Sequence, residues 1–284
     1  MTEKLEVKVK KLFWILLLIL CPLVLLYALL LRCRRGAKWP EGLKGVRFAH
    51  RGLHHQPDAP ENSLAAFRAA VENGYGAELD IHLMKDGNLA VIHDSSLIRT
   101  AGADVEVEDL TAEELKQYRL EGTDETIPLF EEVLEIFDGK TPLVVELKCE
   151  RGNYNALAAA ACEMLDRYHV TYCIESFDPR ALIWLKNNRP EIIRGQLSGD
   201  LMESDSKQSK LTLWILQHLF MNCLARPDFI AFDHKHRDES AELKFCRVVY
   251  GVQEVSWTIR SEEKARELEE DGCLIIFEKF GKKI

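Results

Sequence analysis

Residues Ala77–His93 read AELDIHLMKDGNLAVIH, and this stretch decides the fold. Ala77–His82 has the period-2 pattern of a strand, with Glu78 and Asp80 on one face and apolar residues between them. From Ile81 to His93 there is no room for a helix. Asp86-Gly87 between two apolar runs is instead a hairpin signal. A two-residue turn there pairs Met84 with Leu89 and sets Asp80 opposite His93, returning a histidine to the strand end that carries the acids. Outward from this hairpin, short β-branched runs alternate with helical patterns. The other strands are expected at Val46–His50, Leu143–Lys148, Tyr172–Phe177, Ile193–Leu197, Phe229–Asp233, Val255–Ile259 and Leu274–Glu278. Helical spacing covers Ser63–Asn73, Tyr154–Tyr168, Pro179–Asn187 and Glu262–Asp271. Buried strands separated by helices predict an α/β fold, a parallel (β/α)8 TIM barrel over residues 41–284, with a β-hairpin inserted after its second strand.

Residues 1–40 are different. Leu12–Leu31 runs without a charge, long enough to cross a hydrocarbon core as one transmembrane helix, and Pro22 within it is tolerated in that setting. A cleaved signal peptide fits less well, because Arg32-Cys33-Arg34-Arg35 follows where a small-residue cleavage site would stand. Basic residues flank both ends, so sidedness is weakly set. Eight cysteines without a CxxC or other short zinc spacing point to free thiols, and tilt the catalytic domain towards the cytoplasmic side of a single-pass membrane protein. Apolar Leu211–Leu224 is expected as a barrel helix under a loop, with a helix dipping into the same membrane as the alternative.

Charge narrows the chemistry. Residues 1–38 carry eight Lys/Arg against two Glu, so the remainder of a chain at −9 overall carries −15. That balance repels a nucleic-acid backbone and suits a divalent cation. The polar residues gather at predicted C-terminal strand ends, where barrel enzymes keep their sites. They are His50-Arg51-Gly52, Glu78 and Asp80, His93-Asp94, and Glu146-Leu147-Lys148. Three carboxylates at Glu78, Asp80 and Glu146 form a hard oxygen set for Mg2+ or Ca2+. Arg51 and Lys148 provide positive charge for a phosphate, and His50 and His93 titrate near neutrality as donor and acceptor. Any one of these has a plainer reading as a structural or solvated polar residue. Their convergence on one rim is the signal.

The order His50-Arg51-Gly52, Pro60-Glu61-Asn62-Ser63, Glu78-Leu79-Asp80, Lys85-Asp86-Gly87, His93-Asp94, Glu146-Leu147-Lys148, Ser176-Phe177 and Trp257-Thr258 resembles the glycerophosphodiester phosphodiesterase family, in a membrane-anchored, bacterial-type form. The resemblance implies one divalent cation on Glu78, Asp80 and Glu146, acid–base histidines at His50 and His93, and phosphate contacts at Arg51 and Lys148. It adds Glu61 beside the site and Trp257 lining the substrate pocket. The implied reaction yields glycerol 3-phosphate and an alcohol, through attack by a substrate hydroxyl and a cyclic phosphate that water opens. Two departures stand out: Arg260 where the family often has Asn, and Ile276-Phe277-Glu278-Lys279 where it ends a strand with Thr-Asp. Both are expected to lie away from the acids and histidines, bearing only on the alcohol. A lysophospholipase D acting on membrane lysophospholipids and a non-catalytic phosphodiester-binding membrane protein are the alternatives.

Overall fold

The structure is a computed structural model that describes residues 2–203 and 208–281. The barrel strands are β1 (Phe48–His50), β2 (Gly76–Leu83), β4 (Leu143–Leu147), β5 (Tyr172–Ser176), β6 (Arg194–Ser198), β7 (Phe229–Asp233), β8 (Gln253–Ile259) and β9 (Leu274–Phe277). They are all parallel, and pairing of β1 with both β9 and β2 closes the cylinder. Each of the eight strand expectations corresponds to one of these, shifted by two residues or fewer at either end. The remaining strand, β3 (Leu89–Val91), runs antiparallel to β2 as the expected hairpin.

The hairpin register differs from expectation by one residue. Leu83 faces Leu89 and Ile81 faces Val91, while the Ile92 amide donates to the Asp80 carbonyl. The cause is a three-residue loop, Lys85-Asp86-Gly87, in place of a two-residue turn. Gly87 donates to the Met84 carbonyl, and its φ of 87° is the left-handed position that ends such a loop. His93 still returns to the rim, one position along from where a two-residue turn would set it.

Alternation sorts each strand into an inner and an outer face. Outward residues such as Leu79, Ile81, Val145 and Ile174 pack against the surrounding helices in the largest core cluster. Inward residues Phe48, Val144, Cys173, Phe229, Val255 and Ile276 fill the lower half of the cylinder. Room for the two phenyl rings comes from glycines. A Cβ on Gly76 would sit 2.7 Å from the Phe48 ring, and one on Gly195 2.1 Å from the Phe229 ring. Trp39 and Leu43 close the bottom, with Trp39 5.5 Å from Phe229 between ring centroids.

Helix α1 (Thr2–Leu30) precedes the barrel, and its Val7–Leu30 portion is long and apolar enough to cross a membrane. Its C-terminal end meets the barrel: Tyr27 stands edge-on to Phe220 and Phe245, and Leu31 is buried against Leu219, Ile230 and Phe232. The expected single helix over 211–224 is two pieces, Lys210–Gln217 and Asn222–Ala225. Between them Leu219 takes a φ of 57° and turns inward to join the cluster around Leu31. The chain before it, residues 200–211, is polar and serine-rich in sequence, and residues 204–207 of it lie outside the described residues.

Candidate active site

One pleat above the apolar layer, the inward positions become polar. Glu78 and Asp80 of β2 and Glu146 of β4 are buried, and one oxygen of each lies within 4.8 Å of the others. The register sets Asp80 beside Glu146. Burial, and then repulsion from Asp80, Glu146 and Glu175, push the Glu78 carboxyl well above its ordinary range. Glu146 is likewise raised, mainly by burial. Asp80 goes the other way: Lys148, His93 and Arg51 and a hydrogen bond from Asn62 outweigh its burial. The three are a close-packed, anionic oxygen donor set that a divalent cation fits.

Cationic groups surround it. Lys148 Nζ lies 3.0 Å from Asp80 Oδ1 and 2.9 Å from Glu146 Oε1. Arg51, from the loop after β1, donates from Nη1 to Glu61 at 2.9 Å, and its Nε is 3.7 Å from Asp80 Oδ2. Its backbone amide also donates to Glu78 Oε2 at 3.1 Å. Gly52 follows with a φ of 79°, and a Cβ there would lie 2.9 Å from Ala66, so the His-Arg-Gly turn can press against the helix Leu64–Glu72 only with glycine at its third position. Glu61 holds Arg51 on one side and Arg99 at 2.6 Å on the other.

Each of the two rim histidines has a carboxylate behind it. His50 Nδ1 is 3.1 Å from Glu278 Oε2, and its Nε2 points to the acids, 3.9 Å from Glu78. Burial lowers the imidazole's basicity. His93 Nδ1 is 2.6 Å from Asp94 Oδ1, and the hydrogen bond from His93, with a second from Arg99, depresses the Asp94 carboxyl. The His93 carbonyl accepts from His82 Nε2 at 3.2 Å, and His82 is gripped at Nδ1 by Glu108 at 2.6 Å. A carboxylate at Nδ1 selects the tautomer that leaves Nε2 free for the rim. Trp257 closes the far side, edge-on to Phe177 with ring centroids 6.0 Å apart, and its buried indole Nε1 has no partner among the described residues.

The structure therefore gathers Glu78, Asp80, Glu146, His50, His93, Arg51, Lys148 and Glu61 on one rim, with Trp257 at its edge. It corrects one expectation. Glu278 does not lie away from the histidines: it touches His50, comes within 3.8 Å of His54 Nε2, and pairs with Arg260. The two departures thus meet each other at the back of His50, because β9 ends beside β1 when the barrel closes. Hydrogen bonds from His50 and Arg260, with the His54 ring nearby, hold the Glu278 carboxyl far below its usual range. Two further groups escaped sequence reasoning. Asn62 donates to Asp80 at 2.9 Å. Glu175 of β5, fully buried, has its carboxyl pushed well up by burial and by Glu146 and Asp80.

Comparison with known proteins agrees with this architecture. The family model for the glycerophosphoryl diester phosphodiesterase family matches residues 50–277. A Bacillus altitudinis glycerophosphodiester phosphodiesterase is 35% identical over 167 residues, 55% of this chain and 67% of that one. A Rattus norvegicus lysophospholipase D is 37% identical over 141 residues, 44% of each chain, so the match spans less than half of that enzyme. Among solved structures, an Oleispira antarctica phosphodiesterase in complex with the product sn-glycerol-3-phosphate superposes with a TM-score of 0.64 at 27% identity, covering 82% of this chain and 92% of the other.

Proposed function

This chain belongs to the glycerophosphoryl diester phosphodiesterase family and is a phosphodiesterase enzyme; from that footing we propose that it hydrolyses glycerophosphodiesters to glycerol 3-phosphate and an alcohol with the aid of one divalent cation, Mg2+ or Ca2+. The observation that carries this reading is the cluster of Glu78, Asp80 and Glu146 within 4.8 Å of one another on a rim that also bears His50 and His93. Those three carboxylates would hold the cation, whose chemistry there is to polarise a phosphate oxygen as a Lewis acid. Arg51 and Lys148 orient the phosphate and balance its charge. One histidine, neutral with Nε2 unprotonated, takes the proton of the attacking hydroxyl, and the other, as the imidazolium, donates its Nε2 proton to the departing alcohol. Water then opens the cyclic phosphate formed by the first attack. Trp257 bounds the substrate, and Glu61 fixes Arg51 in place.

Residues 1–40 act as a membrane anchor for the barrel of residues 41–284, through the apolar span Val7–Leu30. Eight free cysteines support a catalytic domain facing the reducing, cytoplasmic side. The test is release of glycerol 3-phosphate from a panel of glycerophosphocholine, glycerophosphoethanolamine and glycerophosphoglycerol, with and without chelator. Metal-dependent release from at least one substrate is expected. Binding of the panel without turnover, in Mg2+ or Ca2+, would make the protein a phosphodiester-binding module.

A further inference from the structure

A cleft of about 560 Å3 opens where the end of α1 meets the foot of the barrel. Among the described residues it is lined by six cations, Arg32, Arg34, Arg35, Lys186, Arg194 and Arg226, and by no acid. Arg194 begins β6 and Arg226 lies just before β7, so this is the opposite end of the strands from His50 and Lys148. The nearby Asp228 pairs with Arg34 and lies 3.8 Å from Arg194 Nη1. Other cations here donate to backbone carbonyls: Lys186 to Leu224, Arg226 Nε to Cys223 at 2.9 Å, and Arg35 Nη2 to Val249 at 2.7 Å. Carbonyls satisfy these donors and leave the charge unbalanced. Arg194 is the most confined, at 1% exposure. It donates to the Ala225 and Arg226 carbonyls at 3.1 and 2.8 Å, while its Nη1 has no hydrogen-bond partner among the described residues. Burial, and then repulsion from Arg226 and Arg194, lowers the basicity of Lys186. A buried cation with an unmet donor, crowded by further cations, is completed by an anion.

The remaining wall is apolar. Leu25, Ala28 and Leu29 share one face of α1 by their helical spacing, inside the span Val7–Leu30, and both leucines are exposed. Leu224 and Val249, whose carbonyls take Lys186 and Arg35, are exposed as well, and Val248 is 85% exposed. Exposed apolar side chains around a basic cleft, at the end of a membrane span, suit the level at which lipid headgroups lie. We propose that this cleft holds the phosphate headgroup of an anionic membrane phospholipid, uncut, with an acyl chain lying along Leu25, Ala28 and Leu29. This rests on the reading of α1 as a membrane span and is independent of the chemistry at the rim. The two parts of such a molecule match the two walls. A zwitterionic lipid brings its own cation among the arginines, and a soluble phosphate leaves the stripe on α1 uncovered. One anion there bridges the segment after α1, the helix Pro179–Asn188, β6 and the turn before β7, and so fastens the span to the barrel.

The full chain, delipidated in dodecyl maltoside with chelator present, is titrated with dioleoylphosphatidylglycerol and with dioleoylphosphatidylcholine. Native mass spectrometry counts the intact lipid retained per chain. One phosphatidylglycerol per chain is expected, held more tightly than phosphatidylcholine by about tenfold or more. Arg32→Gln alone, at an exposed side chain, should weaken phosphatidylglycerol by about fivefold. Arg32→Gln with Lys186→Gln should bring the two lipids to near-equal affinity while the melting temperature without lipid stays near that of the parent. Lys8→Gln with Lys10→Gln removes the same charge from the far end of α1 and should leave the preference intact. Equal binding of the two lipids by the parent, or an equal loss in both double variants, would overturn the site. Displacement of the lipid by millimolar inorganic phosphate would make soluble phosphate the occupant and overturn the lipid assignment. In phosphatidylcholine vesicles, release of the chain by an alkaline wash would overturn the membrane span and the proposal with it; retention there, with no preference in the titration, would overturn the cleft alone.

Discussion

The two halves of the barrel interior are built by the same strands and differ by one pleat. Below, Phe48, Val144, Cys173, Phe229, Val255 and Ile276 form an apolar layer with two glycines shaped around the phenyl rings. Above, the next inward positions on those strands carry His50, Glu78, Glu146, Glu175 and Glu278. The lower layer gains from burial, roughly 1.5–3 kcal/mol for each large side chain. The upper layer crowds like charges in a desolvated space, which works against folding except where Lys148 and Arg51 compensate. Stability and function are thus divided between the ends of one cylinder, and substitutions should sort accordingly.

The largest effects are expected at the upper end. His50→Ala or His93→Ala should lower kcat by about 10²–10⁴-fold while the melting temperature stays near that of the parent. Near-normal turnover in either variant would remove that histidine from the chemistry. At the lower end, Phe229→Ala should destabilise by about 3–5 kcal/mol in denaturant titration while the folded fraction keeps its specific activity. Loss of activity without loss of stability there would break the division.

Smaller effects sharpen it. Glu278→Ala removes the carboxylate behind His50, and kcat should fall by about 10–100-fold with KM little changed. Arg260→Ala, one contact further out, should do less. For pH, Glu78 and Glu146 sit above the ordinary carboxylate range, so in chelated protein the folded state holds protons that the unfolded chain has released. Their contribution then falls as pH rises through that window, whereas His50 and His234, whose basicity burial lowers, contribute in the opposite sense; relative to Glu78→Gln, chelated parent should therefore gain melting temperature at pH 5 over pH 7, by about 2–4 °C for each kcal/mol involved. Saturating Mg2+ or Ca2+ should flatten this dependence, because the cation replaces the protons. Groups with depressed carboxyls, such as Asp80 and Asp94, lose their contribution only at lower pH and do not reverse the sign within that window.

Much of this arrangement is legible in the order of residues alone. Alternation along Ala77–His82 puts Glu78 and Asp80 on one face, and a polar residue closing each apolar run marks the rim. What escapes depends on closure and on turn detail. Glu278 touches His50 because β9 and β1 become neighbours, a contact between residues separated by most of the chain. It also stands at the end of a predicted strand, so the rule that finds His50 and Glu146 could have found it. Glu175 lies inside the apolar run Tyr172–Phe177, where the strand pattern does not say which face turns inward until the barrel closes. The hairpin register differs by one because Asp86-Gly87 serves two-residue and three-residue loops alike, and the choice between them is made by packing around Met84 and Leu89.

The central claim is that Glu78, Asp80 and Glu146 act together as a cation site. Calorimetric titration of chelator-stripped protein with Mg2+ and with Ca2+ tests it most directly, in the parent and in Glu146→Gln. The account predicts one cation bound per chain, with affinity collapsing in the variant. Unchanged stoichiometry and affinity in Glu146→Gln, or no saturable binding by the parent, would contradict it.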